Sequence, residues 1–284
     1  MLELLLYGGV SSAIYALLAV GFTLIFGVAR VFNLGHGSFY ALGAYFTYAG
    51  HAQLKLPLLV AAAIAVALVA GIGVAMAKAF AGPLQRSVLA ALMITLGFAL
   101  LVEQILLLTF GSQARNVPSI IDGTVQIGAA SISAQRLLTL GVGVALIAAL
   151  WLFINKTRLG AAILAISQDR EAAQYQGINT ARIFTIVMAL SAGLAAIAGV
   201  LAGSFLTVQP DMGILPMVKA VSIVIVGGLG SIPGSIIAAL LLGYGETAVA
   251  FLFSTRFTEL VSLGAVLLTL SLRPAGLLGK RAAF

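Results

Sequence analysis

Leu4–Ala29 reads LLLYGGVSSAIYALLAVGFTLIFGVA, a stretch without a single Lys, Arg, Asp or Glu. A helix that crosses the hydrocarbon core of a bilayer needs about 20 predominantly apolar residues, so this tract alone is long enough to span. Tracts of the same kind follow at Val31–Leu54, Leu56–Ala77, Ser87–Val102, Leu137–Asn155, Ile183–Pro210 and Ala220–Gly245, with a shorter one at Leu260–Leu272. The 284 residues are 62% hydrophobic and 8% charged, against about 25% charged in a soluble domain. That deficit excludes an ordinary soluble enzyme, a disordered chain and a nucleic-acid binder, although the formal net charge is +7. The expected fold class is an all-α polytopic membrane protein, one transmembrane domain over residues 1–284. About eight full spans plus one short or re-entrant segment fit the length, with nine crossings as the alternative. The start, Met1-Leu2-Glu3, carries no basic region of the signal-peptide kind, so the first tract reads as a retained helix.

With no cysteine, disulfides, thiolate metal sites and a cysteine nucleophile are excluded. His36 and His51 are too few for a three-histidine zinc site, so neither a metal site nor a catalytic residue is expected. The two sizeable polar connections are Gly111–Gln135 and Lys156–Arg182. Cytoplasmic loops collect Lys and Arg. The second connection holds Lys156, Arg158, Arg170 and Arg182, and the tail holds Arg273, Lys280 and Arg281, so both are expected inside. Alternation then adds Arg30, Lys78 and Arg86 to that side and leaves Lys55, Arg115, Arg136, Lys219 and Arg256 on the other. The loop at about 111–136 is expected outside. The side of the N-terminus depends on what happens near residue 33.

Two tracts are interrupted. Asn33-Leu34-Gly35-His36-Gly37-Ser38 breaks the first, and Ser38–Leu54 as helix, about 26 Å, only marginally crosses a core of about 30 Å. The second break is Gly227-Gly228-Leu229-Gly230-Ser231-Ile232-Pro233-Gly234. At about 1 kcal/mol per glycine and about 3 for proline, a continuous helix there is penalised by roughly 7 kcal/mol. Each break has two readings. It is a tight packing turn, or it is unwound backbone along a translocation route, as in transporters built from discontinuous helices. On the second reading Asn33, His36, Ser38, Gly228, Gly230 and Ser231 line the pathway. Pro216–Val226, about 17 Å as helix, is too short to span and reads as a half-depth or re-entrant piece.

Carboxylates inside apolar tracts face protein or water rather than lipid. Glu103 reads as close to the outer headgroups, and Glu246 as a structural hydrogen-bonding partner. The small residues Ser191, Ala195, Gly199 and Gly203 recur every fourth position, a stripe that lets membrane helices approach closely. A phosphate-binding loop of the form G-x-x-x-x-G-K-[ST] is missing. Gly276–Arg281 and the glycines of 227–234, read at membrane depth, both fail its spacing. ATP hydrolysis, if it drives this protein, occurs on another chain.

The basic loop carries SQDREAAQYQGINT from Ser167 to Thr180. Gln168–Gln176 suits a short amphipathic helix, with Ala172, Ala173 and Tyr175 giving apolar contacts and Gly177 the stop. Such a helix is a surface connector or a docking knob. Glu171-Ala172-Ala173, three residues and Gly177 match the start of the E-A-A-x-x-x-G coupling motif of ATP-binding-cassette importer permeases, without its later Leu-Pro.

Beside it stand NLGHGSFYALGAY (Asn33–Tyr45), RLGAAILAISQDREAAQYQGINTARI (Arg158–Ile183), GGLGSIPGSIIAALLLGYGE (Gly227–Glu246) and RPAGLLG (Arg273–Gly279). On these segments the chain resembles, over essentially its whole length, the LivH-type permeases of branched-chain amino acid ABC importers. The resemblance implies a multi-pass protein of the bacterial inner membrane with a cytoplasmic C-terminus. It implies four partners besides the lipid bilayer: a second permease of similar fold (LivM-like), two cytoplasmic ATPase subunits and a periplasmic substrate-binding protein. ATP and magnesium belong to the ATPases, and no cofactor is expected on this chain. The resemblance also implies that Gln168, Asp169, Arg170, Glu171, Ala172, Ala173, Gly177, Ile178 and Asn179 couple to an ATPase. The same machine carrying urea or short amides is the first alternative. A self-contained channel or secondary transporter follows, and an intramembrane enzyme comes third.

Overall fold

The computed structural model describes residues 1–128 and 130–279, the side chains of residues 80–86 and 127 excepted. Hydrocarbon offers no water to a peptide group, so each apolar tract pairs its backbone within itself as a helix. In chain order these are α1 (Leu2–Ala29), α2 (His36–Tyr48) with a π-helical extension over Ala49–Gln53, α3 (Leu58–Arg86) and α4 (Val88–Phe110). A hairpin of β1 (Thr124–Ile127) and β2 (Ala130–Ser133) leads into α5 (Ala134–Lys156). Then come α6 (Arg158–Gln168), α7 (Arg170–Tyr175), α8 (Thr180–Gly203), α9 (Ile214–Gly227), α10 (Ile232–Leu252), a 3-10 turn at Thr255–Phe257 and α11 (Thr258–Leu272).

The bundle has two distinct ends. At one, Arg30 donates to the Gln168 carbonyl at 3.4 Å, and the tail donates from Leu277 and Leu278 to the carbonyls of Val226 and Gly227. Arg30, Lys156, Arg158, Arg170, Arg182 and Arg273 gather there, and we call it the basic end. The β-hairpin, against which the start of α1 packs, marks the other. Lys280, Arg281 and the side chain of Arg86, all part of the sequence-based charge count, lie outside the described residues. Helix starts at the basic end are capped by side chains. Ser87, Thr157, Asp169, Asn179 and Ser231 each accept from a backbone N–H two or three residues into the helix that follows.

Seven helices are long and apolar enough to cross a membrane. Two further crossings are composite. After Arg30 the chain turns back at φ 55° and runs unwound through Asn33 to His36, whose ring meets the Leu18 carbonyl midway along α1. The 13 residues of α2 and 5 of its π-helical extension then climb to the hairpin end. Residues 204–213 mirror this path: they dip inward from the hairpin end, and the 14-residue α9 completes the crossing to the basic end. The chain therefore crosses nine times among the described residues, with its N-terminus at the hairpin end and its tail at the basic end.

The two dipping segments meet. Gly37 and Gly213 pack so closely that a Cβ on either would overlap the other's carbonyl oxygen. The helix α8 forms the wall behind α2. Its small-residue stripe does what the spacing predicts, inside the subunit: Ser191 touches His36, a Cβ on Gly199 would overlap the Tyr40 carbonyl oxygen, and Gly203 faces Ala44. Tyr40, Tyr45 and Phe39 on α2 are consequently buried. The outer faces of α3, α4, α5 and α11 expose leucines and other aliphatic side chains, as lipid contact requires.

One expectation is corrected here. The glycine-rich break at 227–234 is not at membrane depth but is the turn from α9 to α10 at the basic end. Gly228, at φ 103°, holds a conformation that L side chains rarely adopt and sits against the backbone of Ala275 and Gly279.

Gly199→Leu is expected to force α8 away from α2, an overpacking cost of about 1–3 kcal/mol or more. Thermal unfolding of the purified chain in detergent should shift down markedly. Gly97→Leu, where nothing lies within 4 Å, should leave it unchanged.

Candidate translocation cavity and coupling loop

A cavity of about 690 Å³ opens between α1, the dipping segment 204–213, α9, α10 and the start of α11. Near its mouth Arg136 stacks on Tyr7 and Phe205, 4.6 and 5.2 Å from the ring centroids. Its deep wall is formed by Val10, Ile14, Tyr15 and Tyr40. Lys219 and Glu246 also line it, joined by an ion pair of 2.5 Å with the two side chains only 12% and 7% exposed.

Two hydroxyls join that pair. Glu246 Oε2 accepts from the Tyr15 hydroxyl at 2.7 Å, and Oε1 accepts from Lys219 and from the Ser262 hydroxyl. Lys219 Nζ also donates to Ser262 Oγ at 3.1 Å. Four helices, α1, α9, α10 and α11, are thereby tied together. An isolated charge at the bilayer centre costs about 2.5–3.5 kcal/mol on insertion scales, and the network offsets that cost for both ions at once.

The sequence reading gave Glu246 a hydrogen-bonding role but put Lys219 among the outside loop cations, which is wrong. The error has a physical origin. A lysine between Pro216 and a new apolar run looks like a snorkelling end-of-span residue, and only the inward dip of 204–213 brings it to the level of Glu246. The usable signal was the lone cation six residues into a half-length helix, together with a lone carboxylate in the next span.

Asn33, His36 and Ser38 are buried, 2%, 0% and 9% exposed. Asn33 Oδ1 accepts from Gly35 N at 3.1 Å, while its Nδ2 has no partner among the described residues. The His36 ring bridges two helices. Nε2 lies 3.0 Å from the Leu18 carbonyl, which can only accept, so Nε2 carries the proton and Nδ1 faces the Ser191 hydroxyl at 3.3 Å. None of the three lines the cavity; Tyr40, one turn further along α2, does. Gly228, Gly230 and Ser231 stand apart from it, in the turn at the basic end. Glu103 is half-buried on α4.

The basic loop departs from the expected single helix over Gln168–Gln176. Asp169 is extended (φ −147°) and its side chain caps Ala172 N at 3.0 Å, so α6 ends and α7 begins anew there. Ala173 is buried, which anchors α7 on α6 and α8. Tyr175, expected to supply an apolar contact, stands 88% exposed. Gln168, Asp169, Glu171, Ala172, Gly177 and Asn179 are exposed, Arg170 and Ile178 half-buried. Gly177, at φ 79°, supplies the stop.

The Lys219–Glu246 pair yields a stability expectation. Removing one partner of a buried ion pair costs about 3–5 kcal/mol, whereas neutralising both is often harmless. In thermal unfolding, Glu246→Gln should therefore lower stability more than Lys219→Met/Glu246→Gln does.

Comparison with known proteins agrees with this architecture. Residues 4–270 match the family described as branched-chain amino acid transport system / permease component. The high-affinity branched-chain amino acid transport system permease protein LivH of Escherichia coli (strain K12) is 32% identical over 97% of this chain and 94% of its own length. BraD of Pseudomonas aeruginosa, named in the same terms, is 30% identical over 98% and 96%. A probable LivH from Methanocaldococcus jannaschii is 27% identical over 94% and 89%. In fold, the chain is similar to PsaBC from Streptococcus pneumoniae in complex with Fab, at a TM-score of 0.55, covering 96% of this chain and 93% of that one with 14% identity. The match over residues 4–270 and a relative 32% identical along nearly the whole length show that the chain belongs to the family of branched-chain amino acid transport permeases.

Proposed function

We propose that this chain is the membrane-spanning subunit of an ATP-binding-cassette importer that carries leucine, isoleucine and valine across the inner membrane of a bacterium. The observation that carries the reading is the α7 loop. A helix too short to be stable alone is held by an Asp169 cap, a buried Ala173 and a Gly177 stop, and it presents Glu171 and the Tyr175 ring to the outside of the bundle. Those features suit a docking element better than a solvated connector, which would have no need to expose a tyrosine. The basic end is the cytoplasmic one by the positive-inside rule, so the tail is cytoplasmic and the cavity opens on the periplasmic side. The substrate follows the names of the LivH and BraD relatives.

On this reading a LivM-like permease completes the pathway, two ATPases dock on the α7 loops and hydrolyse ATP, and a periplasmic protein delivers the amino acid. Closure of the ATPases drags α7. The motion reaches α1 through Arg30 on the Gln168 carbonyl and through the packing of α6 against α1. Since α1 lines the cavity from Tyr7 to Tyr15, a shift of α1 alters the access of the cavity. ATP must bind the two states with different affinity for the shift to occur.

Two outcomes test the reading. Tyr175→Ala or Glu171→Ala in the assembled importer should cut leucine uptake by about tenfold or more while the chain stays inserted; normal uptake would remove the docking role. Cells lacking this gene and other leucine systems should lose labelled leucine uptake that isoleucine and valine compete for and urea does not. Loss of urea entry instead would move the substrate to the amides.

A further inference from the structure

The floor of the cavity is an unusual place for charge. In an apolar bundle, aliphatic side chains would tie α9 to α10 without any desolvation cost, yet Lys219 and Glu246 line open space there. The carboxylate is held from behind by two hydroxyls, Tyr15 on Oε2 and Ser262 on Oε1. Glu246 therefore keeps two donors if Lys219 swings away. The ammonium, on a flexible four-carbon stem, is the mobile half. Val10, Ile14 and Leu215 give the cavity aliphatic wall.

We infer that Lys219 and Glu246 form a zwitterion-binding station within the translocation cavity, at which a passing amino acid places its α-carboxylate on Lys219 and its α-ammonium on Glu246. The inference rests on the importer reading above and names a contact for its substrate. The geometry suits the ligand: opposite charges already in contact open into two new ion pairs when a molecule with opposite charges on neighbouring groups enters between them. One ion pair is exchanged for two, so a zwitterion opens the station and a neutral amide or urea does not. The recognition is of the shared backbone of amino acids. The aliphatic side chain lies against Val10, Ile14 and Leu215, surfaces that accept leucine, isoleucine and valine alike. The carbon skeleton is then selected elsewhere, and the charge pattern here.

The test uses the complete importer, with its partner permease, ATPases and binding protein, in proteoliposomes. In Lys219→Met/Glu246→Gln, leucine-loaded binding protein should still stimulate ATP hydrolysis to within about twofold of the unsubstituted complex, while leucine imported per ATP falls about tenfold or more. Import per ATP within about twofold of normal would overturn the station and leave a pair that merely pins helices. Joint loss of hydrolysis and import in an assembled complex would overturn it too, by placing the pair in coupling. A second, independent measurement uses the charge-balanced Lys219→Cys/Glu246→Gln and, in complexes that assemble, Lys219→Cys alone, because this chain has no cysteine of its own. Leucine during turnover should slow modification of the introduced cysteine by 2-aminoethyl methanethiosulfonate about fivefold, and in Lys219→Cys alone attachment of that ammonium should restore import. A modification rate indifferent to leucine would overturn the inference. If the unsubstituted complex imports urea and not leucine, the importer's substrate reading fails and the station falls with it. Leucine import by the unsubstituted complex with no effect in the variants sinks the station alone.

Discussion

Hydrocarbon cannot hydrogen-bond a peptide group, and this constraint organises the whole protein. Two of the nine crossings are interrupted, at 30–35 and 204–213, and each interruption frees backbone groups that lipid would leave unpaired. Both are therefore drawn into the centre, where protein replaces water. Leu34 N donates to Thr95 Oγ1 and Gly35 N to Asn33 Oδ1; Val208 exchanges backbone hydrogen bonds with Arg115. The two short helices that follow, α2 and α9, begin beside each other where Gly37 meets Gly213. Seven ordinary spans form the casing around that junction. The small residues of α8 follow from it as well, because a helix backed so closely by α2 has no room for side chains at Gly199.

The same inward dip creates the cavity and supplies its chemistry. A continuous span over 204–227 would have filled the space beside α1 and carried Lys219 to a different level. The interruption leaves a hollow and brings an ammonium to the Glu246 carboxylate. Four helices then share one hydrogen-bonded ion pair, so a displacement of any of them changes the geometry at the floor. Through Tyr15, α1 connects this point to Arg30 and the α6–α7 loop at the basic end. The exposed loop and the cavity floor are thus separated by one helix, with a hydrogen bond at each end of the route.

Much of this was legible in the chain itself. Apolar tracts announced the membrane and the approximate number of crossings, since transfer from water to lipid sums over a window of residues and needs no knowledge of neighbours. The break at Asn33–Ser38 was visible because glycine acts locally, whereas the interruption at 204–213 lay hidden at the end of the apolar tract Ile183–Pro210. The α7 loop was legible from Glu171-Ala172-Ala173 and Gly177, whose motif spacing and stopping role depend on residues within two turns. Its exact form was not: Asp169 competes for the backbone and splits one expected helix into two.

What the sequence by itself determined is the class of solvent, most of the helices, the interruption at Asn33–Ser38 and the stop at Gly177, all set by short-range covalent and solvation physics. Tertiary structure alone decided how deep each interruption lies, which end the N-terminus occupies, and that the turn at 227–234 packs against the tail rather than lining a route. It also decided that Lys219 meets Glu246. These are matters of depth and adjacency between residues far apart in the chain. Hydropathy assigns a side chain to lipid, protein or water without saying which partner stands opposite, and a buried ion pair exists only when packing brings both charges to one level.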